Sequence, residues 1–99
     1  MISETTAHLG VLYVDAFIPA AQSLKNKRAV LKSIKDKVRR HFNVSVAELD
    51  GRDKWQRATL GFVMIANDQR YINERLENIL SLIGQHHACE ISDHVIDFY

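Results

Sequence analysis

The side chains in this sequence best placed to do chemistry are cations. Lys25, Arg28, Lys32, Lys35 and Arg39 recur at intervals of three, four, three and four residues. On an α-helix that spacing gathers them into one stripe. A stripe of lysine and arginine can neutralise a row of phosphates, which makes nucleic acid the polyanion it suits. Residues 25–40 hold eight bases (Lys25, Lys27, Arg28, Lys32, Lys35, Lys37, Arg39, Arg40) against one acid, Asp36, a local charge of +7. The remaining five bases and eleven acids sum to −6, so the whole chain carries only +1. A solvated helix face also favours lysine and arginine, which are good helix formers. Two features distinguish this one. Like charges at i, i+3 and i+4 repel by a few tenths of a kcal/mol per pair, roughly, and only Asp36 is interleaved among them. Lys25, Lys27 and Arg28 also occupy the first turn, where the helix dipole disfavours a cation by about 0.3–1 kcal/mol. With its free backbone N–H groups and the Ser23 hydroxyl, that turn reads as a phosphate site. Lys27 falls inside the apolar arc of the same helix, so it must snorkel or meet a partner.

Weaker signals lie elsewhere. The segment 50–57 places Trp55 among Arg52, Lys54 and Arg57. Trp55 could stack on a nucleobase beside those cations, or pack at the start of the strand that follows. Gly61-Phe62-Val63 partly matches an RNA-recognition strand, but the leading base and paired aromatics are missing. His86, His87, Cys89 and His94 have the spacing of no standard zinc site, so a surface turn is expected and no metal is assigned. Phosphate-binding glycine loops, nucleophile elbows and catalytic His/Cys pairings are not recognisable, so the expectation is a binding protein without a cofactor rather than an enzyme.

These residues need a scaffold, and the hydrophobic pattern supplies one. His8–Ile18 is apolar on both alternating faces, as a central strand would be. Ser23 is the expected N-cap of a helix from Leu24 to about Arg40, with Leu24, Val30, Leu31, Ile34 and Val38 facing the core. Val44–Leu49 alternates as a half-buried strand, and Arg57–Ala66 reads as a third strand. Asn67-Asp68 caps a second helix from about Gln69 to Ile83, with Gly84 as its stop. Residues 88–99 give the fourth strand. The order β-α-β-β-α-β is that of a ferredoxin-like α+β sandwich, a four-stranded antiparallel sheet with two helices on one face. The single domain spans residues 1–99. One face of its sheet has no helix to cover it, and an apolar face of that size usually joins proteins together. A homo-oligomer, most simply a dimer, is expected through that face or a sheet edge.

Ser23-Leu24-Lys25-Asn26-Lys27-Arg28-Ala29, Asn43–Glu48, Trp55–Ala58 and Asn67-Asp68, with the spacing between them, resemble the YlxP-like family of small bacterial proteins of unassigned function. The resemblance runs from Leu9 to the last strand. It implies the same ferredoxin-like fold. Genes of that family often lie beside translation genes, which implies an RNA or ribosomal setting. Asn26 departs from the family, which often has an acidic residue there. Acylphosphatases share this fold, but the glycine-rich arginine loop that holds their anion has no counterpart in Ile18–Ser23.

The ligand-contacting set expected from sequence is therefore Ser23, Lys25, Lys27, Arg28, Lys32, Lys35, Arg39, Trp55 and Arg57. Its expected partner is RNA or a ribosomal subunit, with an acidic protein as the alternative. The first residues show neither a basic nor an apolar leader segment, and the one cysteine, Cys89, fits a reducing cytoplasm. No apolar stretch is long enough to cross a membrane.

Overall fold

The computed structural model describes residues 2–99. After a single 3-10 turn, Ile2–Glu4, the chain forms β1 (His8–Phe17), α1 (Leu24–His41), β2 (Ser45–Asp50), β3 (Arg57–Ala66), α2 (Gln69–Gly84) and β4 (Glu90–Phe98). The sheet order is β2-β3-β1-β4, and every neighbouring pair is antiparallel. This is the ferredoxin-like arrangement that the hydrophobic pattern calls for.

The period of two along the strands decides which side is buried. Leu12, Val14 and Ala16 of β1 face the helices, as do Ala58, Leu60, Phe62 and Met64 of β3. From above, α1 contributes Leu31, Ile34 and Val38, while α2 contributes Ile72, Leu76, Ile79 and Ile83. Helix α2 lies over β1, β3 and β4. It comes so near β1 that a Cβ on Gly10 would stand 2.4 Å from Ile72 Cγ2. The alternate residues, Leu9, Val11, Tyr13, Asp15 and Phe17 with Thr59, Gly61, Val63 and Ile65, form the side without helices. Among the described residues no helix is long and apolar enough to cross a membrane.

Helix ends differ from expectation in one place. Gly84 is the last residue of α2 rather than a left-handed stop, and the helix is closed by Gln85, whose N–H reaches back to Ser81, Leu82 and Ile83 carbonyls. The only positive φ among the described residues is at Gly51, +85°, where the chain leaves β2. A Cβ there would also meet the Arg57 carbonyl at 2.8 Å, so both backbone angle and space require glycine.

Candidate functional site

Helix α1 is amphipathic, and its polar arc runs beside the edge strand β2. Arg28, Lys32, Lys35 and Arg39 line a groove of about 330 Å³ with Leu31, Asp36 and Glu48, the last belonging to β2. Helical spacing thus brings four of the five stripe residues to one concavity. Lys25, one turn before Arg28, is exposed at the head of the same stripe. Within the groove only Lys32 has an acidic partner on the helix, Asp36, at 2.7 Å. That bond, backed by Lys32, Arg39 and Arg40 charges, holds the Asp36 carboxyl below its ordinary value. Among the described residues Lys25, Arg28, Lys35, Lys37, Arg39 and Arg40 form neither an ion pair nor a side-chain hydrogen bond. The groove is therefore a concave surface carrying uncompensated positive charge.

One expected ligand contact is structural, and a second also caps the helix. Lys27 is 1% exposed. Its ammonium lies 2.9 Å from Glu48 Oε2 and donates to the carbonyls of Gly51 and Lys54, the latter at 2.8 Å. A phosphate has no access to it. The helical wheel placed Lys27 on the core side; the partner that tolerates it there comes from the β2–β3 connection. The Ser23 hydroxyl accepts the Asn26 N–H at 3.1 Å, and Asn26 Oδ1 accepts the Gln22 N–H at 3.2 Å. Asn26 thus ties down the residue before the cap, one position short of the Ser23 N–H that a capping-box acid would take. The cap uses a lone pair of the Ser23 oxygen and leaves its O–H free to donate.

Trp55 and Arg57 part company. Trp55 stands in the β2–β3 connection, two residues before Arg57, and is 55% exposed. Arg57 is the first residue of β3, with its guanidinium 5.4 Å from the Phe17 ring centroid. There it lines a cleft of about 120 Å³ with Asp15, Asp50, Lys54 and Thr59, away from the α1 groove.

One arrangement has no sequence signal. The pairing puts Asp93, Asp15, Thr59 and Asp50 in a single row across all four strands. Both register shifts of the sheet, Asp15/Ala16 against β4 and Glu48/Asp50 against β3, adjoin this row. Thr59 donates to Asp15 Oδ1 at 2.8 Å, and Asp50 accepts the Gly51 N–H at 2.8 Å. Asp15 lies 44 positions from Thr59 and meets it, as it meets Asp93, only through strand register, which no local spacing announces.

The histidine turn is tightly hydrogen-bonded. His86 and His87 stack with centroids 4.9 Å apart. His86 Nδ1 accepts the Ala88 N–H at 3.1 Å, which leaves Nε2 to carry the proton of a neutral ring, 3.4 Å from Ser33 Oγ. Burial, then the neighbouring His87 and Lys37 charges, lowers its pKa from the ordinary value. Cys89 is buried, and burial raises the pKa of its thiol. Among the described residues no three His, Cys, Asp or Glu side chains are placed to share a metal ion.

Residues 9–96 match the family described as "Protein of unknown function (DUF503)". The chain belongs to that family. A relative, the uncharacterised protein YlxP of Bacillus subtilis, is 36% identical over 75 residues, covering 76% of this chain and 82% of the relative. The likeness seen in the Ser23–Ala29 and Asn43–Glu48 segments is thus that of a family member. Among solved structures, the de novo designed protein Foldit4 aligns with a TM-score of 0.54 at 16% identity, covering 95% of this chain and 97% of its own. That similarity shows the fold alone.

Proposed function

We propose that this DUF503 protein is a non-catalytic RNA-binding protein of the cytoplasm, and that the α1–β2 groove grips the phosphate backbone. The observation that carries the reading is the groove itself, where Arg28, Lys35 and Arg39 converge with none of them in an ion pair among the described residues. Structural economy does not account for them. A helix needing only solubility would alternate its charges, whereas this stripe sets five cations against one acid, Asp36, which pairs with Lys32 alone. Phosphate oxygens accept from both guanidinium and ammonium donors, and a strand laid along α1 meets successive cations at about 5–6 Å intervals.

The test is binding of structured and single-stranded RNA at several salt concentrations. If all five stripe cations engage a single strand, log Kd against log salt should have a slope magnitude of about 3–4. Charge reversal of Arg28, Lys35 and Arg39 to Glu should abolish binding with the fold intact by circular dichroism. Equal affinity in that triple variant would sink the proposal. Capture of an acidic protein that survives nuclease treatment, with no RNA bound, would also overturn it.

A second reading concerns the sheet face without helices. Leu9, Leu49, Ile65, Val95 and Tyr99 are exposed, and Ala47 and Gly61 floor an apolar hollow of about 230 Å³ beside Val11, Tyr13 and Val63. Four strands about 4.8 Å apart, each rising about 3.3 Å per residue, make a face on the order of 500 Å². Two such faces pressed together approach the area of a small specific interface, about 1,200 Å². We therefore assign a second copy of the chain as its occupant. The Tyr13 and Tyr99 hydroxyls bond each other at 2.8 Å, so pairing would leave one phenolic proton to find an acceptor on the second copy.

A further inference from the structure

We propose that Trp55 is the stacking platform for an unpaired nucleobase at the Arg28 end of the groove, which makes single-stranded RNA the ligand rather than a closed duplex. This rests on the reading of the groove as a phosphate track and adds the feature that selects among nucleic acids. The argument is the way the Trp55 loop is held.

An antiparallel pair such as β2 and β3 can be joined by two to five residues, roughly. Here the connection is 51–56, and it is fastened on both sides of its tryptophan. Before Trp55, the buried Lys27 ammonium donates to the Gly51 and Lys54 carbonyls. After it, the Gln56 amide donates to the Pro19 and Ala21 carbonyls at 2.9 and 3.3 Å, and the Gln56 carbonyl accepts the Ile18 N–H at 2.8 Å. Both neighbours of Trp55 are therefore fixed by long-range hydrogen bonds. Trp55 itself, among the described residues, has neither a ring contact nor a partner for its indole N–H. A single exposed aromatic is ordinary; one whose two neighbours are immobilised by a buried lysine and a glutamine is pre-organised for a ligand.

The loop is also tied to the groove. Glu48 lines the groove and pairs with Lys27. The same ammonium holds the Lys54 carbonyl, whose carbon is bonded to the Trp55 nitrogen. One ion pair, one hydrogen bond and one peptide unit separate groove wall from platform. Arg52 and Lys54 are exposed on the same loop and put positive charge beside Trp55 in sequence. An aromatic face beside a cationic track is how sequence-tolerant single-strand binders combine stacking with charge. A duplex keeps its bases stacked on each other and offers only its blunt end.

Trp55 is the chain's only tryptophan, so its emission reports on the platform directly. Intrinsic fluorescence and fluorescence polarisation should be followed with a labelled oligoadenylate of about twelve nucleotides, and with a blunt RNA duplex of that length. The single strand should quench the emission saturably and bind more tightly than the duplex. Trp55→Ala should weaken single-strand binding roughly five- to a hundredfold, leave the salt slope unchanged, and be partly rescued by Trp55→Phe. Thermal melts should show both variants folded. Polarisation that reports binding without any change in emission, or Trp55→Ala binding as well as the parent, would overturn the platform while leaving the groove reading intact. Duplex bound as tightly as single strand would do the same. If neither RNA binds, the groove reading fails and the platform with it.

Discussion

Removing the Lys27 ammonium would strand three acceptors at once, the Glu48 carboxylate and the carbonyls of Gly51 and Lys54. A lone buried carboxylate is far costlier than the ion pair it came from, so Lys27→Met should lose about 3–5 kcal/mol in urea unfolding. Adding Glu48→Leu to that variant should recover a large part, since an apolar pair avoids the desolvation of both charges. A single-variant loss below about 1 kcal/mol would mean that water already reaches the pair. At this scale the sequence was half legible. The helical period put Lys27 among core residues, which is a true statement about its Cα. Its acceptors lie 24 and 27 residues downstream, and no local pattern points to them. The same limit hid the Asp93–Asp15–Thr59–Asp50 row, and it misplaced Arg57, whose neighbour in sequence, Gln56, faces a different part of the fold.

At the scale of elements, local rules read well. The six strands and helices fall where periodicity and capping residues put them, to within about two residues, because each apolar face has one obvious layer to meet. Errors arose where an end is set by hydrogen bonds rather than by composition. Gly84 reads as a stop, yet α2 runs through it and closes on the Gln85 N–H; Ser23 caps α1 by accepting the Asn26 N–H, and its O–H stays free to donate. Ser23→Ala should destabilise the protein by about 1 kcal/mol through the lost cap, measured in urea unfolding, and a fall in RNA affinity at constant fold would show that the O–H also donates to phosphate. Register shifts beside Asp15 and Glu48 were likewise invisible, since a bulge follows from how two strands are matched and not from either strand alone.

For the whole molecule, the sequence announced a sheet with one bare face but not which residues it bears; strand pairing decides that Leu9, Val11, Tyr13, Val63 and Ile65 look outward. If a second copy covers them, light scattering at micromolar concentration should give the mass of a dimer. Ile65→Lys, which sets a charge on a side chain 64% exposed in the single chain, should return it to a monomer without lowering RNA affinity per chain. A parent protein that is monomeric throughout would remove the face-to-face pairing. The strand order has an electrostatic consequence of its own. Because the sheet runs β2-β3-β1-β4, the acids Glu90, Asp93 and Asp97 lie on the edge opposite the basic groove. The two edges are about 15 Å apart, at about 4.8 Å per strand. Ionic atmosphere at physiological salt screens charge over about 8 Å. A polyanion in the groove consequently experiences the near edge and hardly the far one. The chain's near-zero net charge governs its solubility and its migration in a field, while its ligand feels the exposed cations of α1, Lys27 being already neutralised by Glu48.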